Sequence, residues 1–496
     1  MQKLNEYKDA TDPKSYCDKF IDHSIPDGAC VLAQNCYLDD NQILERNGYT
    51  MVGDNTGENK PNLGFCTFEQ AGTKQLLKIN DNALGTAANL FYWTGTGNWV
   101  KVTSLTFTAG QPCSMVEANG KVYITNNVDT PKSWNGTTLA NVAGIPIVPY
   151  IKWFHSFLFA LKNSRLYISN RDDPETFGVS SFIDIAPSDG DFMTGAGTIK
   201  DELIIGKRYR SFSFQGWTEA SFNVTQVNEK LGSYGSTSDL SYVNTGNDLL
   251  FMSFGGDIPH IRSIAKTKTA DTMYGGIITD WQEGTMKGLS KSQLDKVAAV
   301  FDGKYAWFFM PNGSSTYNNL CICYNSVTTG CTKMTGIYAA RAVVSSVTGT
   351  AKVYFADSRN SKVYVLDGSY SDDGNPIEYR YISKRYQPDF KRFYKFKYLY
   401  LQYLLGSTGN LLVRTSVDDH LPDLQETLPL NQPQSMFTYV FPFGFGATTQ
   451  ANKRIDLPYQ PTSNIQLDLY KNDITAPVSV HDYTFLGYPK SLRALP

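Results

Sequence analysis

Histidine is scarce in this chain. There are five in 496 residues, His23, His155, His260, His420 and His481, isolated from one another along the sequence. They offer little material for general-base chemistry, and turn or packing roles suit them better. Charge is sparse as well: 19% of residues are charged, against about 25% in an average globular protein. Lys and Arg total 45 and Asp and Glu 47, for a net charge of −2. That balance excludes a globally basic nucleic-acid coat and an acidic solvating tail. No apolar run approaches the roughly 18 residues of a membrane helix. No apolar segment follows the N-terminal lysine either, so neither a membrane span nor a signal peptide is expected. Phosphate-cradling Gly-x-x-x-x-Gly-Lys-Ser/Thr, Gly-x-Ser-x-Gly elbow and His-Glu-x-x-His motifs are missing, so the expectation is a non-enzyme without a cofactor or catalytic residues.

The eight cysteines are an ordinary density for this length and do not suggest a disulfide framework. Cys321, Cys323 and Cys331 are the tightest cluster. No histidine lies near them, and a one-residue gap in a strand points both thiols to one face, which suits small buried hydrophobes better than a metal site.

Aromatic residues are abundant: 31 Tyr, 28 Phe and 7 Trp. With 40 glycines and almost no helical periodicity, this composition favours strands. Strand pairs joined by polar turns recur every few tens of residues. Thr73–Ile79 leads to Leu90–Trp93, His155–Leu161 to Ser164–Ser169, Asn247–Phe254 to Pro259–Ile264, and Thr350–Ala356 to Lys362–Leu366. Irregular units of this size, each with several short strands, are the signature of a β-propeller, whose blades bury their faces by radial stacking. A pair of β-sandwiches shares the alternation. The fold predicted is mainly β: a propeller of six or seven blades over residues 73–370 and an additional antiparallel β domain over 377–496. Residues 1–72 read as an N-terminal arm packing with that second domain.

Propeller glycosidases are the rival enzyme class, using paired carboxylates or a tyrosine nucleophile. The nearest approach to a sialidase turn is Thr94–Trp99, which lacks the aspartate. The acidic pairs Asp172-Asp173, Asp372-Asp373 and Asp418-Asp419 lie in turn-like contexts, and adjacent strand residues point to opposite faces. They read as solvated turns.

One basic run stands out, between Lys384 and Lys397. In an extended chain, Lys391, Phe393, Lys395 and Lys397 share one face, and Arg392, Tyr394, Phe396, Tyr398 and Tyr400 the other. The pattern suits a subunit or partner contact, an edge strand guarded by lysines, or a phosphate contact. The first is the reading taken: Arg392, Tyr394, Phe396, Tyr398, Tyr400, Lys391, Lys395 and Lys397 are the interface candidates.

The order of motifs adds a resemblance. Ala29–Tyr49 reads as a short apolar strand, then Asn35, an acidic loop and Arg46-Asn47-Gly48-Tyr49. Trp153–Leu161 is followed by Arg165–Thr176 with its Ser169-x-x-x-Asp173-Pro174 turn. Next come Asp201–Gly206 with Ser211–Gly216, then Gly232–Gly235 with Asn247–Phe254. This series resembles the tail nozzle and packaged-DNA stabilisation (tail hub) proteins of short-tailed bacteriophages. It departs from them where they often carry paired basic residues and Pro before Gly-Tyr. The resemblance implies a structural virion protein, made in the host cytoplasm, that forms a homo-oligomeric ring, commonly a hexamer. Such a ring extends and closes the DNA ejection channel below the portal and adaptor and docks fibres or spikes. Double-stranded DNA passing through its lumen would meet only weak, non-specific contact, since each neutralised phosphate strengthens binding. A glycan-active or glycan-binding propeller is the alternative.

Overall fold

The computed structural model describes residues 5–7, 14–21, 24–39, 42–53, 58–70, 72–228, 234–254, 256–271, 275–388, 392–404, 409–418, 424–430 and 450–492. The chain divides into two compact units. One comprises residues 50–321 and 337–367, the other residues 1–49, 322–336 and 368–496.

The first unit is a β-propeller of seven blades, built almost wholly from consecutive antiparallel strands. Its first blade runs Asn62–Gln70, Thr73–Asp81, Ala88–Trp93 and Val100–Lys101. The first-blade strand Asn62–Gln70 falls in the region read from sequence as arm: Gly64, Thr67 and Glu69 interrupt its apolar alternation, yet it pairs with Thr73–Asp81 along its length. The next three blades are also four-stranded, opening at Ser114–Ala118, Tyr150–Phe154 and Met193–Ile199. The fifth opens at Val243–Asn244, the sixth at Ala298–Phe301 and the seventh at Ala339–Ser345. Each opening strand touches the opening strand of the next blade, and the seventh touches the first, so the cycle is closed. Val52 N–H donates to the Val363 carbonyl at 2.8 Å, bringing the chain that enters this unit alongside the last blade.

Adjacent side chains on one strand serve different seams. Leu76, Phe91 and Trp93 pack with Val52, Tyr354, Ala356 and Val363 between the seventh and first blades. Leu77, Ile79 and Leu90 pack with Val122, Ile124 and Trp134 between the first and second. A blade covered on both faces must be apolar on both, which is why these strands read as continuous apolar runs. Between the strands, Asn119 and Gly120 both take positive φ (43° and 73°), the backbone of a tight hairpin whose twist matches its strands.

The second unit holds two larger sheets. One is ordered Gln450–Asp456, Arg392–Leu404, Ser479–Leu492, Gln42–Glu45, Cys36–Asp39. The other includes Leu32–Gln34, Ile377–Ile382, Ile465–Asp473, Asn410–Val417 and Leu424–Pro429. Residues 32–45 thus supply strands to both. The facing sheets meet through aromatic side chains: the Tyr381 and Tyr483 hydroxyls lie 3.2 Å apart, and Tyr386 packs on Phe485 at 5.7 Å. Among the described residues no helix is long and apolar enough to cross a membrane.

Candidate functional site

The strand Arg392–Leu404 is an interior strand from Tyr398 onward, with Gln450–Asp456 on one side and Ser479–Leu492 on the other. Both rows of backbone groups in this half are already paired, while Lys395 and Lys397, the described lysines of the edge-guard reading, precede it. The shared aromatic face is corrected. The register shifts between Phe396 and Tyr398, so Lys397 is an extra residue between the Phe396–Gly487 and Tyr398–Leu486 pairs. Such a bulge reverses the alternation beyond it. Gly487 permits it: a Cβ there would stand 2.9 Å from the Lys395 carbonyl oxygen.

Tyr394 and Phe396 therefore turn inward. Both are buried, and Phe396 meets Phe485 edge-on at 6.0 Å. They belong to the core of their own unit. Tyr398 and Tyr400 turn outward, with rings 6.4 Å apart and nearly perpendicular, and Tyr400 is 42% exposed. Arg454, paired across from Tyr400, lies over the Tyr398 ring at 4.9 Å. Lys395 pairs with Tyr488, whose ring receives Lys397 at 5.6 Å and Lys490 at 5.2 Å. Arg392 is exposed, and Lys391 lies outside the described residues. The face that emerges is a band of tyrosines interleaved with Arg and Lys, assembled from three strands rather than one.

The motif Asn35 … Arg46-x-Gly48-Tyr49 converges on a second feature of this unit. Arg46 is fully buried. Its Nε donates to Asn35 Oδ1 at 3.0 Å, its Nη1 to Asp372 Oδ1 at 2.8 Å, and its Nη2 to Asp372 Oδ2 at 2.5 Å and the Thr335 carbonyl at 2.8 Å. Asn35 donates in turn to Thr335 Oγ1, and the Tyr49 hydroxyl to the Gly336 carbonyl. Gly48 sits where any Cβ would fall 2.0 Å from the Ser371 carbonyl oxygen. Burial pushes the Asp372 carboxyl up, while its bonds with Arg46 pull it back. Asp372 is thus not the solvated turn residue expected; the arginine requires it inside. Beside it, Lys471, also fully buried, pairs with Glu45 at 3.0 Å. Burial raises the Glu45 carboxyl, and Lys471 and the Val478 N–H oppose that rise.

The remaining candidates are scattered. His155 stacks on Trp217 with centroids 3.5 Å apart. His260 is driven down to about 4, chiefly by burial. His481 meets Ser479 Oγ at 3.4 Å; His23 and His420 lie outside the described residues. Asp172 and Asp173 are exposed, and Asp418 accepts from Ser463 N–H and Oγ. The eight cysteines are free thiols, with Cys321, Cys323 and Cys331 buried. Among the described residues no group of three or more His, Cys, Asp or Glu is placed to hold a metal ion.

No family model matches the chain, and no curated protein matches it in sequence. Among solved structures it is similar to PorZ, a bacterial surface component of the type-IX secretion system of Porphyromonas gingivalis, at 9% identity and TM-score 0.40, covering 64% of this chain and 38% of that one. It is also similar to the Pan2 WD40 domain of Neurospora crassa, at 8% identity and TM-score 0.38, covering 62% and 89%. The CNH domain of AfRom2 matches at 10% identity and TM-score 0.39, covering 64% and 98%. The chain spans well under half the length of the first of these. At such identities and scores the likenesses carry nothing about function, and the propeller assignment rests on the closed cycle of blades.

Proposed function

We propose that this chain is a structural, non-enzymatic virion protein. In this reading it is the subunit of a ring-forming tail nozzle or hub, commonly hexameric in the family it resembles. The ring extends and closes the DNA ejection channel below portal and adaptor and docks fibres or spikes. The observation that carries the proposal is the outward band of Tyr398, Tyr400, Tyr488 and Arg454. Tyrosine and arginine are enriched where proteins meet, because each buries a large area and keeps a polar end to pair. A second support is that four residues of the opening motif, Asn35, Arg46, Gly48 and Tyr49, form one buried node. The motif then has a structural reason to hold together. The near-neutral charge of the chain suits a conduit that must release DNA, since every neutralised phosphate adds to the grip. Electron microscopy of the purified full-length protein tests the reading. Closed rings with a central channel are the expected particles; monomers only, or open filaments, count against it.

A further inference from the structure

The propeller unit holds a cavity of about 250 Å³, reached by the opening strands of the second, third and seventh blades through Ser114, Tyr150 and Arg341. Its lining includes Arg341 from the seventh blade, Tyr150 from the third, and Asp239 and Asp295 from the segments entering the fifth and sixth. Asp239 is buried and held in place: its Oδ1 accepts from the Ala196 N–H at 3.1 Å and pairs with Lys152 Nζ at 3.1 Å. The other three differ. Among the described residues, no hydrogen bond or ion pair engages the Arg341 guanidinium, the Tyr150 hydroxyl or the Asp295 carboxylate.

Other arginines of this unit are engaged. Arg165 forms a two-point pair with Asp184, Arg359 pairs with Asp357 and stacks on Tyr338, and Arg262 lies on Tyr234. Arg341 is half-buried and lacks any such partner. Burial holds its guanidinium below the usual value, with Cys113, Asp239, Cys66 and Tyr150 opposing. Burial also pushes Cys113 and Tyr150 each up to about 12, so both are neutral near pH 7 and neither supplies a counter-charge. An unpaired, partly desolvated cation gains from an incoming anion, and a guanidinium matches a carboxylate through two parallel bonds.

The two aspartates narrow the choice. They repel a compact dianion such as phosphate and accept hydrogen bonds from hydroxyl groups. The volume corresponds to on the order of eight waters, which is the scale of a single sugar ring. We infer that this cavity of the propeller is a binding site for a monosaccharide-sized polyol bearing one carboxylate, of the uronic-acid class. Its carboxylate sits on Arg341 and its hydroxyls reach Asp239, Asp295 and Tyr150. The assignment does not depend on ring formation.

Titration of the full-length chain with glucuronate, glucose, acetate and inorganic phosphate, followed by calorimetry or ligand-observed NMR, tests it. Glucuronate is expected to bind saturably. Glucose, lacking the charge-assisted bond, should bind roughly tenfold or more weakly, and acetate and phosphate should bind more weakly than glucuronate. Arg341→Ala should weaken glucuronate by a similar factor and Arg341→Lys by less. Asp295→Asn, at an exposed and unpartnered carboxylate, should alter glucuronate affinity while leaving the melting temperature unchanged. Absence of saturable glucuronate binding at millimolar concentration would overturn the inference. So would equal affinity for glucose and glucuronate, phosphate or acetate binding as tightly as glucuronate, or undiminished binding by a folded Arg341 variant.

Discussion

Arg46 and Asp372 form a two-point ion pair across 326 residues of sequence, with the guanidinium fully buried and the carboxylate nearly so. Charges taken this far from water persist only if every lone pair and proton is matched. Asn35, Thr335 and the Asn47 carbonyl complete the set around Arg46.

Removing Arg46 leaves the Asp372 carboxylate buried and unpaired. Arg46→Ala is therefore expected to destabilise the second unit by about 3–5 kcal/mol. Arg46→Lys should recover only part of this, because an ammonium cannot make the parallel bonds. Urea unfolding followed by the fluorescence of this unit's tyrosines measures both. A loss below about 1 kcal/mol for the alanine variant, the size of an exposed pair, would contradict the account.

Lys78 gives a pH prediction. It is fully buried against Trp99 and Phe91 and donates to the Ser361 carbonyl at 2.6 Å. Burial lowers its pKa from 10.5 to about 7, opposed by Glu58. Between these two values the unfolded chain binds more protons than the folded one, so this residue makes stability rise with pH across that window. Lys78→Met should flatten the rise. The comparison is the denaturation midpoint of both proteins from pH 7 to 10; parallel curves would contradict the burial argument.

The closed cycle of blades makes a third prediction. Leu76 serves the seam between the seventh and first blades, and Leu77 the seam between the first and second. If closure is a packed seam like the others, Leu76→Ala and Leu77→Ala should each cost roughly 2–5 kcal/mol. Thermal or urea unfolding reads both. A harmless Leu76→Ala beside a costly Leu77→Ala would mean that the propeller is not closed at that seam.

The propeller was legible in its recurring apolar strands because neighbouring residues such as Leu76 and Leu77 must both be apolar to fill two seams. The strand Asn62–Gln70 was less so, since Gly64, Thr67 and Glu69 break the pattern that its pairing partner restores. The outward tyrosine band was read only in part. Tyr398 and Tyr400 could be picked out along the strand, but Arg454 and Tyr488 come from distant segments. The bulge at Lys397 depends on Gly487 opposite it, which period-two reasoning on one strand does not see. Asp372 was misplaced for the same reason: an acidic pair in a turn looks solvated until its arginine, far away in sequence, is known.

The claim that this chain builds a ring through its tyrosine band is tested most directly by native mass spectrometry of the full-length protein beside the Tyr398→Ala/Tyr400→Ala variant. The account predicts a closed multiple of the subunit mass for the natural chain and monomers for the variant, which should stay folded because both rings face outward. A folded variant that still assembles would contradict it, as would a natural chain that is monomeric at every concentration.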